Sequence, residues 1–249
     1  MIGAVVGTAA AALAPSAARP VALTAAPARV ALVGSARTAV RVTNSGTKRV
    51  VVDVRRAGFA LDLRGRPRIV RSDVSRSAAR WLTFRPRRFA LRPRATVAVA
   101  LTSKLPRRAE PGDHDAVVVL STRPLTSGRV AVRVRMGVVV VVRAPGRIVR
   151  RLELRALRVE RRGKRRALEL VVVNRGNVTE SLRRPRAVVS PAHGRRATLV
   201  ASSRQLRPRT RGILEFRLAG RARGPVTARV VIPGDAGRST LRRTYRIRL

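Results

Sequence analysis

Arginine side chains are the groups in this sequence whose type and spacing could do chemistry with a ligand. The planar guanidinium group donates paired hydrogen bonds that match phosphate and carboxylate groups. We predict that two dense clusters bind an anionic polymer; the competing interpretation is that they are solvated faces and hairpin tips. The clusters comprise Arg85, Arg87, Arg88, Arg92 and Arg94 in the first half of the chain, and Arg161, Arg162, Lys164, Arg165 and Arg166 in the second half.

Catalytic and metal-binding chemistry has little support in the sequence. Cysteine is absent, and His114 and His193 fall in separate predicted modules. Asp113, His114 and Asp115 are adjacent, but neighbouring strand residues point to opposite faces, so this run is interpreted as a solvated turn. The other carboxylates are interpreted as charge partners of the abundant arginines. No nucleophile elbow, phosphate loop or dinucleotide fingerprint is present, and we predict no catalytic residue, metal site or cofactor.

The chain is strongly basic. Its 249 residues include 56 Lys and Arg against 12 Asp and Glu, which gives a formal net charge of +44. Such a charge favours nucleic acid, anionic cell-wall polymer and acidic lipid as partners. Specific readers of RNA or single strands stack bases on exposed aromatic side chains, and aromatic residues make up only 2% of this chain. Any binding to nucleic acid is therefore expected to be nonspecific and lost at high salt.

The N-terminal segment, residues 1–26, is similar to a secretion signal. Residues 1–14 form an apolar run of the length of a signal-peptide core, and small residues follow it. The run is too short and too rich in Ala and Gly to span a bilayer as a final anchor, and no later apolar stretch approaches that length. The competing interpretation is a flexible N-terminus. We expect a secreted or cell-surface protein with no transmembrane span in the mature chain.

The elements that position the arginines are predicted to be β-strands. Apolar and charged residues alternate from about residue 29 to the end, which indicates strands with one buried face. The clearest alternation, Val130 to Val142, predicts one long strand. The stretch Gly58 to Ala79 lacks this period and is predicted to be a long connection with one irregular strand at Ile69-Val70. No segment after the N-terminus keeps a helical period, so the predicted fold class is all-β.

One order of signals occurs twice along the chain. Asn44-x-Gly46 precedes Leu91-x-Pro93 in the first copy, and Asn174-x-Gly176 precedes Leu206-x-Pro208 in the second. Asn-x-Gly suits a tight turn because Gly and, less readily, Asn accept positive φ. Leu-x-Pro suits the entrance or edge of a strand, where a missing N–H costs little. The repeat predicts one β-sandwich module present twice.

The two modules are predicted to join near Ala144-Pro145-Gly146, which follows the long strand and precedes a new run of alternation. Pro and Gly are typical of such a connection because they interrupt strands. We therefore predict a first β-sandwich domain over residues 27–145 and a second over residues 146–249.

The stretch from Trp81 to Pro93, with Leu105-Pro106 and Glu110 to His114, resembles a known pattern. It is similar to the peptidoglycan-binding domain of WxL-interacting surface proteins and, more distantly, to the N-terminal domain of periplasmic pilus chaperones. The shared features are a Trp-led strand, a Pro turn, the Leu-x-Pro entrance and a Pro-Gly-Asp turn before a Val-rich strand. The resemblance implies two tandem immunoglobulin-like antiparallel β-sandwich domains at the outer face of the cell, one contacting the wall and the other a partner protein.

Binding rather than catalysis is the function predicted from these features. We expect a non-enzymatic adaptor that attaches to an anionic cell-wall polymer or peptidoglycan and pairs an exposed strand edge with a surface protein. The alternative is a periplasmic-type chaperone for surface-fibre subunits, which uses the same folds to lend a strand. A second alternative is a basic protein that binds nucleic acid nonspecifically.

Overall fold

The computed structural model describes residues 21–123, 125–127, 130–163, 165–192, 195–218, 223–234 and 239–249. In these ranges the regular structure consists of β-strands and one short 3-10 helix. The predicted fold class, two immunoglobulin-like antiparallel β-sandwiches, is confirmed. No helix in this part of the chain is long and apolar enough to cross a membrane.

The first sandwich is built from the first twelve strands and the 3-10 helix Ala79–Trp81. Its strands are β1 (Leu23–Ala26), β2 (Arg29–Val33), β3 (Arg37–Asn44), β4 (Val50–Leu61), β5 (Pro67–Val70), β6 (Leu82–Arg85), β7 (Arg88–Leu91), β8 (Thr96–Ser103), β9 (Gly112–Thr122), β10 (Leu125–Ser127), β11 (Val130–Val132) and β12 (Arg135–Ala144). One sheet has the order β1-β3-β8-β6, and the other has the order β2-β12-β9-β4-β5, with β7 also paired to β4. β10 and β11 form a separate hairpin.

Alternation along the strands builds the core of the first sandwich. In β3, Val40 and Val42 are buried whereas Arg37 and Arg41, on the opposite face, are exposed, as a strand with one solvent-exposed face requires. Burying each such valine contributes roughly 1.5–3 kcal/mol, which is the main force holding the two sheets together. Leu23 of β1 is buried in the same core, so Leu23–Ala26 is part of the sandwich although the sequence analysis assigned it to the N-terminal segment.

The second sandwich has its own core, formed by residues from Leu152 onward and centred on the fully buried Phe216. The predicted domain boundary near residue 145 stays a prediction. The sheets have the orders β13-β14-β19 and β17-β16-β20-β21, and β15 pairs with β18. The strands are β13 (Leu152–Arg162), β14 (Arg165–Asn174), β15 (Glu180–Leu182), β16 (Arg186–Pro191), β17 (Ala197–Val200), β18 (Arg204–Leu206), β19 (Arg211–Leu218), β20 (Pro225–Ile232) and β21 (Leu241–Arg248).

The repeated Asn and Leu-x-Pro signals meet in space in both sandwiches. Asn44 and Asn174 are fully buried, and each accepts a hydrogen bond from the backbone N–H two residues later at 2.9 Å. Each also donates to a carbonyl four residues later at 2.8 Å. A further bond joins Asn44 to the carbonyl of Leu91 at 3.2 Å, and Asn174 to that of Leu206 at 3.1 Å. The repeat is therefore confirmed as one local structure built twice.

The predicted reason for glycine in these turns is wrong. Positive φ occurs not at Gly46 or Gly176 but after Leu-x-Pro, at Arg94 (62°) and Arg209 (54°). A Cβ on Gly176 would lie 2.3 Å from the carbonyl oxygen of Val149, so the close approach of another chain segment excludes a side chain there.

Two strand predictions also need correction. The run from Val130 to Val142 is not one strand, because β11 ends at Val132 in the hairpin with β10 while β12 begins at Arg135 and pairs with β9. The predicted connection from Gly58 to Ala79 begins too early in the sequence, because β4 continues to Leu61. The irregular strand at Ile69-Val70 is confirmed as part of β5, which pairs with the end of β4.

Candidate functional site

One edge of the six-stranded sheet is incompletely covered. β2 pairs with β12 only from Val139 to Arg143, in parallel register with Arg29 to Val33. β9 covers the other side of β12 along its whole length. None of the described strands pairs with Arg135–Val138 on the side that β2 leaves free. We call Arg135–Val138 the open edge.

The open edge offers backbone hydrogen-bonding groups. Val139 N donates to Ala28 O at 3.1 Å, so this residue turns its backbone groups towards the side that β2 occupies. Because the direction of the backbone groups alternates along a strand, residues two and four positions earlier face the same side. Gly137 and Arg135 therefore each present an N–H and a C=O beyond the start of β2.

Two apolar side chains next to these backbone groups, Val134 and Met136, are only partly buried. Val138, Val140 and Val142 are fully buried in the core of the first sandwich. Val134 and Met136 begin the same alternating row and are partly buried against that core. The open edge thus combines backbone groups that pair with no described strand and a partly buried apolar row, the two features that recognition by strand addition requires.

The start of β9 lies at a junction between the two sandwiches. Asp113, His114 and Asp115 are only 1%, 4% and 2% exposed. The prediction of a solvated turn is therefore wrong for all three. The second sandwich covers the two aspartates: Asp113 N donates to Asn177 O at 2.8 Å, Thr179 N donates to Asp113 Oδ2 at 2.7 Å, and Arg207 lies against Asp115.

Asp113 connects the end of β12 to the second sandwich. Arg143 donates to both of its carboxylate oxygens, at 2.7 and 3.1 Å, and this contact raises the pKa of Arg143. Paired bonds of this kind are stronger and more directional than a single contact. Asn177 adds side-chain bonds to the carbonyls of Pro111 at 3.1 Å and Arg147 at 2.8 Å. The connecting segment is thereby fastened to both sandwiches.

Asp115 forms a second buried ion pair across the junction. Arg207 Nε lies 2.5 Å from Asp115 Oδ2, and the two side chains are 10% and 3% exposed. Arg207 also donates to the carbonyl of Phe59 and lies over that ring, 5.7 Å from its centroid. Burial raises the pKa of Asp115, and the charge of Arg207 opposes this rise. Separating the sandwiches would leave each charge without its partner.

Glu110 joins an arginine from each sandwich. Arg76 and Arg209 lie 2.7 and 2.6 Å from its Oε1. Arg76 is 9% exposed, has a left-handed backbone with φ 55°, and donates to Pro111 O at 2.7 Å. A left-handed conformation is costly for a residue with a Cβ. The contacts of the guanidinium group offset that cost at this position.

A second line of contact runs from the turn between β4 and β5. Arg64 binds Glu169 at 2.5 Å and Glu215 at 2.7 Å, and its contact with Glu169 is the main cause of its raised pKa. Ile213 N also donates to Leu63 O at 2.7 Å. The interpretation of carboxylates as charge partners of arginines is confirmed for Glu169 and Glu215. Both ion pairs connect the two sandwiches.

His114 has the surroundings of a packed side chain. Its Nε2 lies 2.8 Å from Glu110 O, and its ring lies 4.3 Å from that of Trp81, centroid to centroid. Burial is the main cause of its lowered pKa. Across the described ranges, no group of three or more His, Cys, Asp or Glu side chains is arranged to hold a metal ion. His193 lies outside those ranges.

The first predicted arginine cluster does not form one surface. Arg85 ends β6 in the four-stranded sheet, whereas Arg88 begins β7 in the other sheet and binds Asp53 at 2.7 Å. Arg92 follows the far end of β7, about 13 Å from Arg88 at the usual rise per strand residue, and Arg94 lies in the turn beyond it. The exposed Arg87 lies between Arg85 and Arg88. Binding by these five residues stays a prediction.

The second predicted cluster lies at a hairpin tip. Arg161 faces Arg166, and Arg162 faces Arg165, across the hairpin of β13 and β14. Gly163 closes the hairpin with φ 56°. Lys164 lies outside the described residues. This location is compatible with both interpretations of the cluster, a binding site and a solvated hairpin tip. Binding of an anionic polymer by these residues stays a prediction.

Comparison with known proteins bears on the fold. No family model and no curated protein matches the sequence. Among the solved structures that resemble it are a chain from a chaperone–tip adhesin complex of CFA/I fimbriae biogenesis (TM-score 0.51, 13% identity), the class 5 fimbriae chaperone CfaA (0.51, 14%) and the YadV chaperone (0.50, 13%). The alignments cover 90% of this chain and 98%, 98% and 99% of those chains.

The chain has the fold of fimbrial chaperones. Of the two families that the sequence resembles, the comparisons support the pilus chaperones and lend no support to the WxL-interacting surface proteins. At this low identity the likeness concerns the arrangement of strands. The open edge and the junction described above are therefore argued from the contacts of this chain.

Proposed function

We propose that this protein is a non-enzymatic, chaperone-type binder that adds a strand of its protein partner to the open edge of β12. The observation that carries the proposal is the open edge itself, where the outward backbone groups of Arg135 and Gly137 pair with none of the described strands and lie beside the partly buried Val134 and Met136. The fold supports a subunit of a surface fibre as the partner, since one of the similar structures is a chaperone–tip adhesin complex.

An added strand would continue the line of β2 along β12. The two outward residues, Arg135 and Gly137, offer four backbone hydrogen-bonding groups, each contributing about 1 kcal/mol net when paired. Covering Val134 and Met136 adds about 25 cal/mol for each Å² of apolar surface removed from water. Main-chain bonds do not depend on the partner's side chains, so one edge can accept several related subunits.

The junction supports this function by holding β12 in place. Arg143, near the end of β12, binds Asp113, and Asp113 accepts a hydrogen bond from Thr179 of the second sandwich. The strand that offers the open edge is thereby tied to both sandwiches. An edge that is already ordered loses less conformational freedom on binding than a mobile one.

A location outside the cytoplasm follows from the same proposal. The signal-like apolar run at residues 1–14 favours export, and the fold is that of a fimbriae chaperone. We therefore propose a periplasmic or otherwise secreted location. The cell-wall adaptor predicted from the sequence is less favoured, because the similar structures are chaperones and the first arginine cluster is divided between two sheets.

Site-specific photocrosslinking in the producing cells tests the partner and the edge together. A photoreactive residue at Met136 is expected to trap a secreted protein in a one-to-one adduct. The matched control is the same residue at Ala98, which is exposed on the four-stranded sheet. Absence of an adduct at position 136, or equal adducts at both positions, would contradict the proposal.

A pair of substitutions at one position then separates backbone pairing from side-chain contact. Arg135→Pro removes the outward N–H, at an edge position where proline is tolerated. Arg135→Ala removes the side chain and keeps the N–H. We expect the proline variant to lose the crosslinked partner and the alanine variant to keep it. Equal binding by both variants would show that the open edge does not pair with the partner.

A further inference from the structure

The outer face of the sheet β17-β16-β20-β21 carries charge of one sign. These four strands contain no Asp or Glu, whereas the opposing sheet β13-β14-β19 places glutamates among its arginines. In the described part of the chain, no carboxylate pairs with the arginines of this outer face. We call these arginines the outer-face arginines. They are Arg186, Arg229, Arg242, Arg246 and Arg248.

Strand register fixes the spacing of the outer-face arginines. Val231 of β20 pairs with Arg186 of β16 on one side and with Arg242 of β21 on the other. Val231 lies two residues after Arg229 in β20. Arg246 of β21 pairs with Thr227, two residues before Arg229 in β20. Two residues along a strand and one strand across correspond to roughly 8 Å between Cα atoms. Arg229 therefore has three arginine neighbours at nearly equal spacing, so the charges are distributed singly rather than clustered.

The rest of this face is neutral and lacks aromatic side chains. Thr227 and Thr244 lie beside the arginines and are exposed. Tyr245, the one tyrosine of the chain, points to the other side of β21, where it packs against the core of the second sandwich. Arg243 lies over that ring, 5.2 Å from its centroid. The described residues of this face therefore offer no aromatic ring on which a nucleobase could stack.

We infer that the outer-face arginines bind a linear polymer that carries one phosphodiester in each repeat and no bases, of which poly(glycerol phosphate) is the simplest example. Each guanidinium group can pair with one phosphate, and the spacing separates successive contacts along the polymer. The ligand belongs to the class predicted for the two arginine clusters, an anionic polymer, but the binding surface is a different one. It is independent of strand addition, because the open edge belongs to the other sandwich.

Titration of the full chain with poly(glycerol phosphate) tests the inference through its salt dependence. Each phosphate contact contributes a slope of about −0.7 to the logarithmic dependence of affinity on salt, the value for single-stranded nucleic acid. With all outer-face arginines engaged, raising salt from about 50 to about 200 mM should weaken binding about 130-fold. The triple variant Arg229→Gln, Arg242→Gln, Arg246→Gln should bind more weakly at low salt and lose only about 7-fold over the same range.

A second triple variant controls for net charge. Arg37→Gln, Arg41→Gln and Arg49→Gln remove the same charge from exposed positions of the first sandwich that lie outside both predicted arginine clusters. This variant should keep nearly the whole salt slope. Equal losses in both variants would show that the net charge of the chain attracts the polymer, and no binding at low salt would also overturn the inference.

Duplex DNA serves as the competing ligand. Tighter binding of DNA than of poly(glycerol phosphate), abolished by the outer-face variant, would overturn the inference in favour of a nucleic-acid surface. The crosslink at Met136 should be unchanged in the outer-face variant. The two proposals can therefore fail separately.

Discussion

Removal of Arg207 gives the sharpest test of the junction. Arg207→Leu leaves the carboxylate of Asp115, only 3% exposed, without its partner at 2.5 Å. Removing one member of a buried ion pair costs about 3–5 kcal/mol. The variant also loses the hydrogen bond from Arg207 to the carbonyl of Phe59, which contributes about 1 kcal/mol. This contribution is included in the total cost given above. We expect a loss of stability of about 3–5 kcal/mol near neutral pH.

Urea unfolding followed by tryptophan fluorescence measures this loss in the relevant sandwich. Trp81 is the only tryptophan, and its ring lies against that of His114, the neighbour of Asp115. The double variant Arg207→Leu, Asp115→Leu removes both charges and should regain most of the lost stability, because apolar replacement of a buried pair is often neutral. The difference between the single and double variants gives the coupling energy.

The pH dependence of the single variant has a definite sign. Burial already raises the pKa of Asp115, and loss of Arg207 removes an opposing charge, so the folded-state pKa rises further above 3.8. A carboxyl whose pKa is raised by folding binds more protons in the folded state, so its destabilising effect shrinks as pH falls towards that value. A loss below about 1 kcal/mol, or a double variant no more stable than the single one, would refute a stabilising role for the pair.

Further predictions concern the repeated asparagine and the glycine at the junction. Asn44→Ala should cost about 2–4 kcal/mol by leaving buried backbone groups unpaired, and Asn174→Ala should cost a similar amount, measured by thermal unfolding; a cost in only one sandwich would contradict the equivalence of the copies. Gly112 has φ 105°, and its Cβ would lie 2.1 Å from Asn177 O, so Gly112→Ala should increase protease cleavage between the sandwiches. Gly34→Ala, at φ 64° with no atom within 4 Å, is the control and should leave cleavage unchanged.

Much of the fold follows from local sequence signals. Alternation predicted that Val138, Val140 and Val142 lie on the buried face of a strand, because a strand places successive side chains on opposite faces, and all three are fully buried. The repeat of Asn44 and Asn174 predicted two copies of one unit, and both asparagines make the same bonds. These features depend on residues close in sequence or on one side chain with few available partners.

The junction could not be predicted in the same way. Asp113 and Asp115 follow Pro111-Gly112, a usual signal for an exposed turn, and acidic residues are rarely buried without a partner. Their partners Arg143 and Arg207 are 30 and 92 residues later in the chain. With arginine so frequent, no local pattern singles out these two. An acidic pair at the start of a Val-rich strand was the one available signal.

Sequence alone determined the all-β class, the two-fold repeat and the excess of positive charge, because composition and period-two alternation act within each strand. Tertiary structure alone decided which strand lies beside which. The pairing of β2 with β12 begins only at Val139, and this leaves the open edge. Strands β16, β20 and β21 place their arginines side by side on one face. Register between strands depends on contacts between distant residues, and the alternation within each strand is the same for every possible neighbour.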